Sequence, residues 1–296
     1  MTLTNLSKFP APYFVGCGGS VNFGERMIMP VDLSPMLPRI SPAVVSTGLE
    51  PSLPRPGFVN SIGMKMVIIP AGKFLMGVPE EEPYRDEDKP QHEVTITKDF
   101  HVGVHQVTHA QYENVMGTNP SHFIGVDLPV EKVSWYDAVE FCNHLSEKDG
   151  NEYRLPTDAE WEYACRAGTT TITAFGDLLS ADQANFGGGF SINTPGKKCL
   201  WKTTPVGSYS PNAWGLYDMH GNVMEWCLDY HSGYKNEFAV DPRGPEHGTH
   251  RVVRGGSWAH FRRDCSSGYR FGKTPDFRNP TVGFRVVSFA DSIGKY

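Results

Sequence analysis

The chain has 296 residues, enough to bury a sizeable core, with 39% hydrophobic residues, 20% charged residues and a formal net charge of −6. That charge leaves no basic field to hold nucleic acid or an anionic membrane, and no apolar run of about 18 residues is present to span a bilayer. The 31 glycines and 23 prolines point to turns, loops and short strands around a few helices.

Residues 1–57 hold nine of the 23 prolines and seven charged residues without periodicity, which predicts an extended Pro-rich arm partly packed on a main domain. The texture changes at Phe58, so that domain is expected over 58–288, with a short tail at 289–296. Met66-Val-Ile-Ile-Pro-Ala-Gly-Lys-Phe-Leu-Met-Gly77 predicts two short strands around a Pro-Ala-Gly turn. After the acidic loop Glu80–Asp88, the alternation Glu93-Val-Thr-Ile-Thr97 predicts another strand.

Three helices are announced by capping boxes. Thr108 with Gln111 opens the first, which Gly117 ends; Ser134 with Asp137 opens the second, which Gly150 ends; Thr157 with Glu160 opens the third, which Gly168 ends. Ala138, Phe141, Cys142 and Leu145 fall on one face of the second. Beyond Gly168, Gly-rich loops alternate with short strands such as Arg251-Val-Val-Arg254 and Gly283-Phe-Arg-Val-Val287.

The first twenty residues carry one Lys and no continuous apolar stretch, so no secretory leader is expected. The cysteines Cys17, Cys142, Cys165, Cys199, Cys227 and Cys265 show no CxxC pair and no metal-ligand spacing. Reduced thiols in a cytoplasmic protein are the expectation.

Four segments in order resemble the formylglycine-generating-enzyme (sulfatase-modifying factor) family. They are Ile69–Gly77, Arg154-Leu-Pro-Thr-Asp-Ala-Glu-Trp-Glu-Tyr-Ala-Cys165, Asn212-Ala-Trp-Gly-Leu-Tyr-Asp-Met-His-Gly-Asn-Val-Met-Glu-Trp226, and Arg254-Gly-Gly-Ser-Trp258 with Gly283-Phe-Arg285. The resemblance implies an irregular α+β domain, poor in regular structure, related to the C-type-lectin fold and stabilised by calcium. In members that make formylglycine, a cysteine pair binds copper and oxidises a cysteine of a nascent sulfatase.

On spacing alone, Asp218, Gly221, Val223 and Glu225 are either an all-oxygen calcium set or polar groups that cap backbone and face water. The resemblance implies calcium, and it implies a second calcium site beginning at Asn185 and Phe186. No acidic residue aligns later in that second site. The copper cysteines are not both present: Ser257 is retained, but their positions hold His260 and Cys265. One imidazole and one thiolate make a different site from two thiolates, so copper and formylglycine formation are not expected. Cys165 stands where members often hold half a disulfide, and the partner position is Val286.

Between 258 and 282, Trp258, Phe261, Tyr269, Phe271 and Phe277 interleave with Arg262, Arg263, Arg270, Lys273 and Arg278. This texture suits a surface that binds a protein or small-molecule ligand, and it also suits a core with solvated arginines. The corresponding strip is a hypervariable display surface in the variable proteins of diversity-generating retroelements, a branch of the same family. The expectation is therefore a calcium-stabilised binding module contacting its ligand through Trp258, His260, Phe261, Arg263, Tyr269, Phe271 and Phe277. Its rival is a metal-dependent oxidoreductase with a catalytic site at Ser257, His260 and Cys265, so whether the chain is an enzyme stays open.

Overall fold

A computed structural model describes residues 55–80, 88–187 and 199–289. The expected arm, except its last residues, and the tail beyond Phe289 lie outside the described residues. The described part is α+β, with three helices and many short strands.

The helices form where their capping boxes predict. The first, α1 (His109–Met116), and the second, α2 (Trp135–Asp149), start on Thr108 and Ser134 and end on Gly117 and Gly150 at φ 71° and 74°. The third, α3 (Asp158–Arg166), starts on Thr157, and both Ala167 (φ 48°) and the expected Gly168 (φ 88°) are left-handed at its end. Ala167 is buried in the core, so packing overrides the preference for glycine there.

Three sheets surround these helices. The largest runs β1 (Arg55–Val59), β2 (Lys65–Ile69), β5 (Phe100–Gly103), β12 (Val287–Phe289) and β6 (Tyr153–Arg154). A second runs β10 (Arg270–Lys273), β9 (Arg251–Arg254), β7 (Met224–Tyr230) and β11 (Val282–Gly283). The third runs β3 (Gly72–Met76), β4 (His92–Ile96) and β8 (Ala239–Val240).

One strand expectation is corrected. β2 and β3 flank Pro70–Ala71 as predicted, and each joins a different sheet. The stretch Gly283–Val287 is not one strand. β11 pairs parallel with β7, Gly283 opposite Glu225, and the chain leaves the sheet before β12 pairs with β5. Between them Arg285 reaches Glu225 at 2.6 Å.

The core has two main clusters. One centres on Phe141, Leu145, Trp226, Phe284 and Val286; the other on Ile69, Phe100, Trp161, Trp214 and Cys227. β7 contributes Trp226 to the first and Cys227 to the second, so its alternation feeds both faces.

Candidate functional site

The loop before β7 takes positive φ at Asp218 (56°), Gly221 (91°) and Asn222 (63°). Only glycine fits at 221, where a Cβ would stand 2.2 Å from Asn185 O. The oxygens of this loop converge on the side-chain amide of Gln106, which lies between β5 and α1. Gln106 Nε2 is 2.9 Å from both Val223 O and Glu225 Oε1, 3.3 Å from Asp218 O and 3.5 Å from Gly221 O. Glu225 is fully buried and also accepts from Arg285 Nε at 2.6 Å, Arg285 Nη2 at 2.8 Å and Trp161 Nε1 at 2.7 Å.

The carbonyls of Asp218, Gly221 and Val223 and one Glu225 carboxylate oxygen thus all lie within 3.5 Å of the Gln106 amide nitrogen. The Asp218 carboxylate faces away and accepts from Gly207 N at 2.7 Å, leaving only its main-chain carbonyl toward the cluster. Desolvation pushes the Asp218 carboxyl up to about 6, with the Gly207 N–H and Arg285 opposing. Calcium takes roughly six to eight oxygens with anionic charge among them. Here Arg285 already neutralises Glu225, the second carboxylate is turned away, and an N–H donor points at the oxygens. The donor set, as arranged, fits an amide rather than a dication.

At the second expected site, main-chain oxygens already accept from protein donors. Asn185 O accepts from Asn222 N at 2.8 Å, and Asn185 Nδ2 donates to Lys202 O at 2.9 Å. Phe186 O accepts from the Cys199 thiol at 3.8 Å. Residues 188–198, where further ligands would fall, lie outside the described residues. Among the described residues no group of three or more His, Cys, Asp or Glu is placed to hold a metal.

The strip after β9 is bound to the same loop. Gly221 N donates to Gly255 O at 2.7 Å, and Trp258 N donates to Asn222 O at 2.9 Å. Ser257 is fully buried; its hydroxyl and His260 Nδ1 are 2.6 Å apart, and His260 N donates to Ser257 O at 3.0 Å. This is a tight turn closed by its own side chains. Burial lowers the His260 pKa, so the ring is neutral at pH 7.

Cys265 is sealed. It packs with Leu179 and Ala184, and its sulfur stands 2.4 Å from where a Cβ on Gly256 would be. Burial pushes its thiol well above the ordinary range. Of the expected catalytic trio, Ser257 and His260 are joined by their side chains, while the Ser257 and Cys265 side chains are both fully buried. Cys165 is a free buried thiol, 3.7 Å from His220 Nε2, and His220 Nδ1 donates to Cys265 O at 2.7 Å.

The expected ligand-binding strip divides in two. Residues 264–270 are buried, Tyr269 among them at 7% exposure, and β10 pairs with β9 where a loop was expected. Tyr269 is therefore core. Phe271 and Phe277 are half-buried against the first core cluster. Phe261 is 55% exposed, and the Arg263 side chain is 76% exposed. His260 packs on Phe271 with ring centroids 5.7 Å apart, and Lys273 Nζ lies 5.2 and 5.0 Å from the Phe271 and Phe277 rings. Trp258 stands edge-on to Phe123 and donates to Pro280 O at 3.0 Å.

Sequence reasoning missed a buried ion network. Arg254 binds Asp158 at 2.5 Å and Glu162 at 2.9 Å; Arg166 binds Glu162 at 2.8 Å; Arg270 approaches Asp158 at 3.3 Å. Asp158, Glu162 and Arg166 recur at every fourth residue of α3, a stripe of charge on one helix face that could have signalled it. Asp229 sits beside Asp158 at the floor of a cleft of about 350 Å³ and accepts from Asp158 N at 2.9 Å. Desolvation, then repulsion from Asp158, raises its carboxyl to about 7.

The family model described as the sulfatase-modifying factor enzyme 1-like domain matches residues 57–290. The chain belongs to this family. Among relatives, the chaperone protein LppX of Paenibacillus barcinonensis is 32% identical over 275 residues, covering 77% of this chain and 90% of that protein. The mouse formylglycine-generating enzyme is 29% identical, covering 76% of this chain and 75% of that enzyme. Among solved structures, Treponema denticola variable protein 1 superposes with a TM-score of 0.67 at 28% identity, over 80% of this chain and 99% of that one. The family and the formylglycine-generating-enzyme-like, C-type-lectin-like fold are thus those that the four sequence segments implied.

Proposed function

We propose that this family member is a ligand-binding module without formylglycine-forming chemistry, and that its contact surface is the exposed part of 258–278. The observation that carries the proposal is the cluster of His260, Phe271, Lys273 and Phe277, with the exposed Phe261 and Arg263 on the same stretch of chain, which offers rings and cations on a frame fixed to the core. Rigid aromatic anchors beside cationic groups lose little entropy on binding, which is why interfaces favour them. The likeness to the Treponema variable protein supports a display role, with a protein or small molecule as ligand. Tyr269 has no part in it, because it is buried. The oxidoreductase alternative loses support from the sealed, high-pKa Cys265 thiol, since the thiolate is the reactive species.

The test is selection of a random peptide library on the full-length protein, followed by a Phe261→Ser, Arg263→Ser variant. The variant should melt within a few degrees of the parent and lose at least tenfold in affinity for the selected peptides. Selected peptides that bind the folded variant as tightly as the parent would place the contact surface elsewhere.

A further inference from the structure

We infer that the Gln106 side-chain amide takes the place of the family's structural cation, so that the Asp218–Glu225 loop is cross-linked without calcium. Independently of the ligand-binding proposal, this rests on the convergence of oxygens from one loop on a single nitrogen of another segment.

A primary amide carries two hydrogens. Gln106 Nε2 uses them on the two nearest acceptors, Val223 O and Glu225 Oε1, both at 2.9 Å, and it stays within 3.5 Å of Asp218 O and Gly221 O. Its partner atom, Gln106 Oε1, is buried without a hydrogen-bond partner. Turning the amide over would place that oxygen against four other oxygens, a repulsive arrangement unless a cation lay between them. The charges decide between the two states. Glu225 is already matched by the bidentate Arg285, and Asp218 is held by Gly207 N, so a divalent ion would stand next to a buried guanidinium with at most one unmatched carboxylate against its two charges. A neutral donor brings none. One orphaned amide oxygen is the smaller cost.

The link has structural reach. Gln106 precedes Val107, whose N–H bonds Phe284 O, and the loop it holds is bonded in turn to Gly255 and Trp258. One amide therefore ties the start of α1 to the turn that carries the proposed contact surface.

The experiment is a thermal melt of the full chain in chelator and in millimolar calcium, with calcium content measured on the purified protein. The parent should hold substoichiometric calcium and melt at the same temperature in both. Gln106→Glu supplies the missing anion among the same oxygens. It should be destabilised in chelator and recover by roughly 5–10 °C when calcium is saturating. A parent that melts lower in chelator overturns the inference, because the amide would then be a ligand and not a substitute. A folded Gln106→Glu that ignores calcium overturns it too, because the four oxygens would not be a cation's place. Should that variant fold in neither condition, the parent's response and calcium content decide the matter by themselves.

Discussion

At the scale of single residues, the interior is governed by where carboxylates find their partners. Glu225 is paired with Arg285 at 2.6 Å, whereas Asp229 is desolvated with Asp158 as its neighbour and is pushed up to about 7. For a carboxyl whose folded pKa is raised, the folded state binds more protons than the unfolded one between about pH 4 and pH 7, so stability falls as pH rises through that window. Asp229→Asn removes this dependence. The gap in urea midpoint between variant and parent should therefore grow in the variant's favour from pH 5 to pH 7 and level off above. Contributions from Asp218, raised in the same direction, and from His220, lowered to about 4 by burial, are common to both proteins and cancel. A gap that stays constant from pH 5 to pH 8 would refute the assignment.

At the scale of elements, α3 is the piece on which most depends. Its capping box is reinforced: Thr157 Oγ1 accepts from Glu160 N at 3.1 Å, the Glu160 carboxylate accepts from Thr157 N at 2.8 Å, and Arg154 grips that carboxylate at 2.6 and 2.7 Å. The helix then delivers Asp158, Glu162 and Arg166 to Arg254 and Trp161 to Glu225. Thr157→Ala should cost about 1 kcal/mol in urea unfolding, the usual worth of such a cap. A cost near zero would mean that packing of Trp161 and the ion network alone fix the helix start. The same element shows packing adding to local signals, since a core alanine is left-handed at Ala167 just before the expected Gly168, which is left-handed too.

At the scale of the whole molecule, the fold keeps the frame of a formylglycine-generating enzyme around a different strip. Cys265 is buried behind Gly256, and His260 closes a turn on Ser257. Incubated with Cu(I), oxygen and a Cys-x-Pro-x-Arg peptide, the protein should leave the peptide mass unchanged. Conversion of the peptide thiol to an aldehyde above the rate without protein would sink this expectation, because a sealed thiol cannot present a thiolate to a substrate.

What the sequence determined by itself is local or motif-borne. The three capping boxes lie within four residues of chain, so their helices begin where Thr108, Ser134 and Thr157 stand, and the four ordered segments carried the family and the fold. Tertiary structure decided which of the chemically able residues meet. Gln106 and Glu225 are 119 positions apart, Arg285 and Glu225 are 60 apart, and no periodicity links them. It also decided that Tyr269 is core while Phe261 is exposed, although both stood in one stretch of aromatic and basic residues. The reason is that burial and charge pairing depend on which strand lies alongside. Tyr269 leads into β10, which pairs with β9 on the core side, while Phe261 lies on a loop before it, and the Asp218 loop meets an amide because Gln106, just after β5, donates to Val223 O.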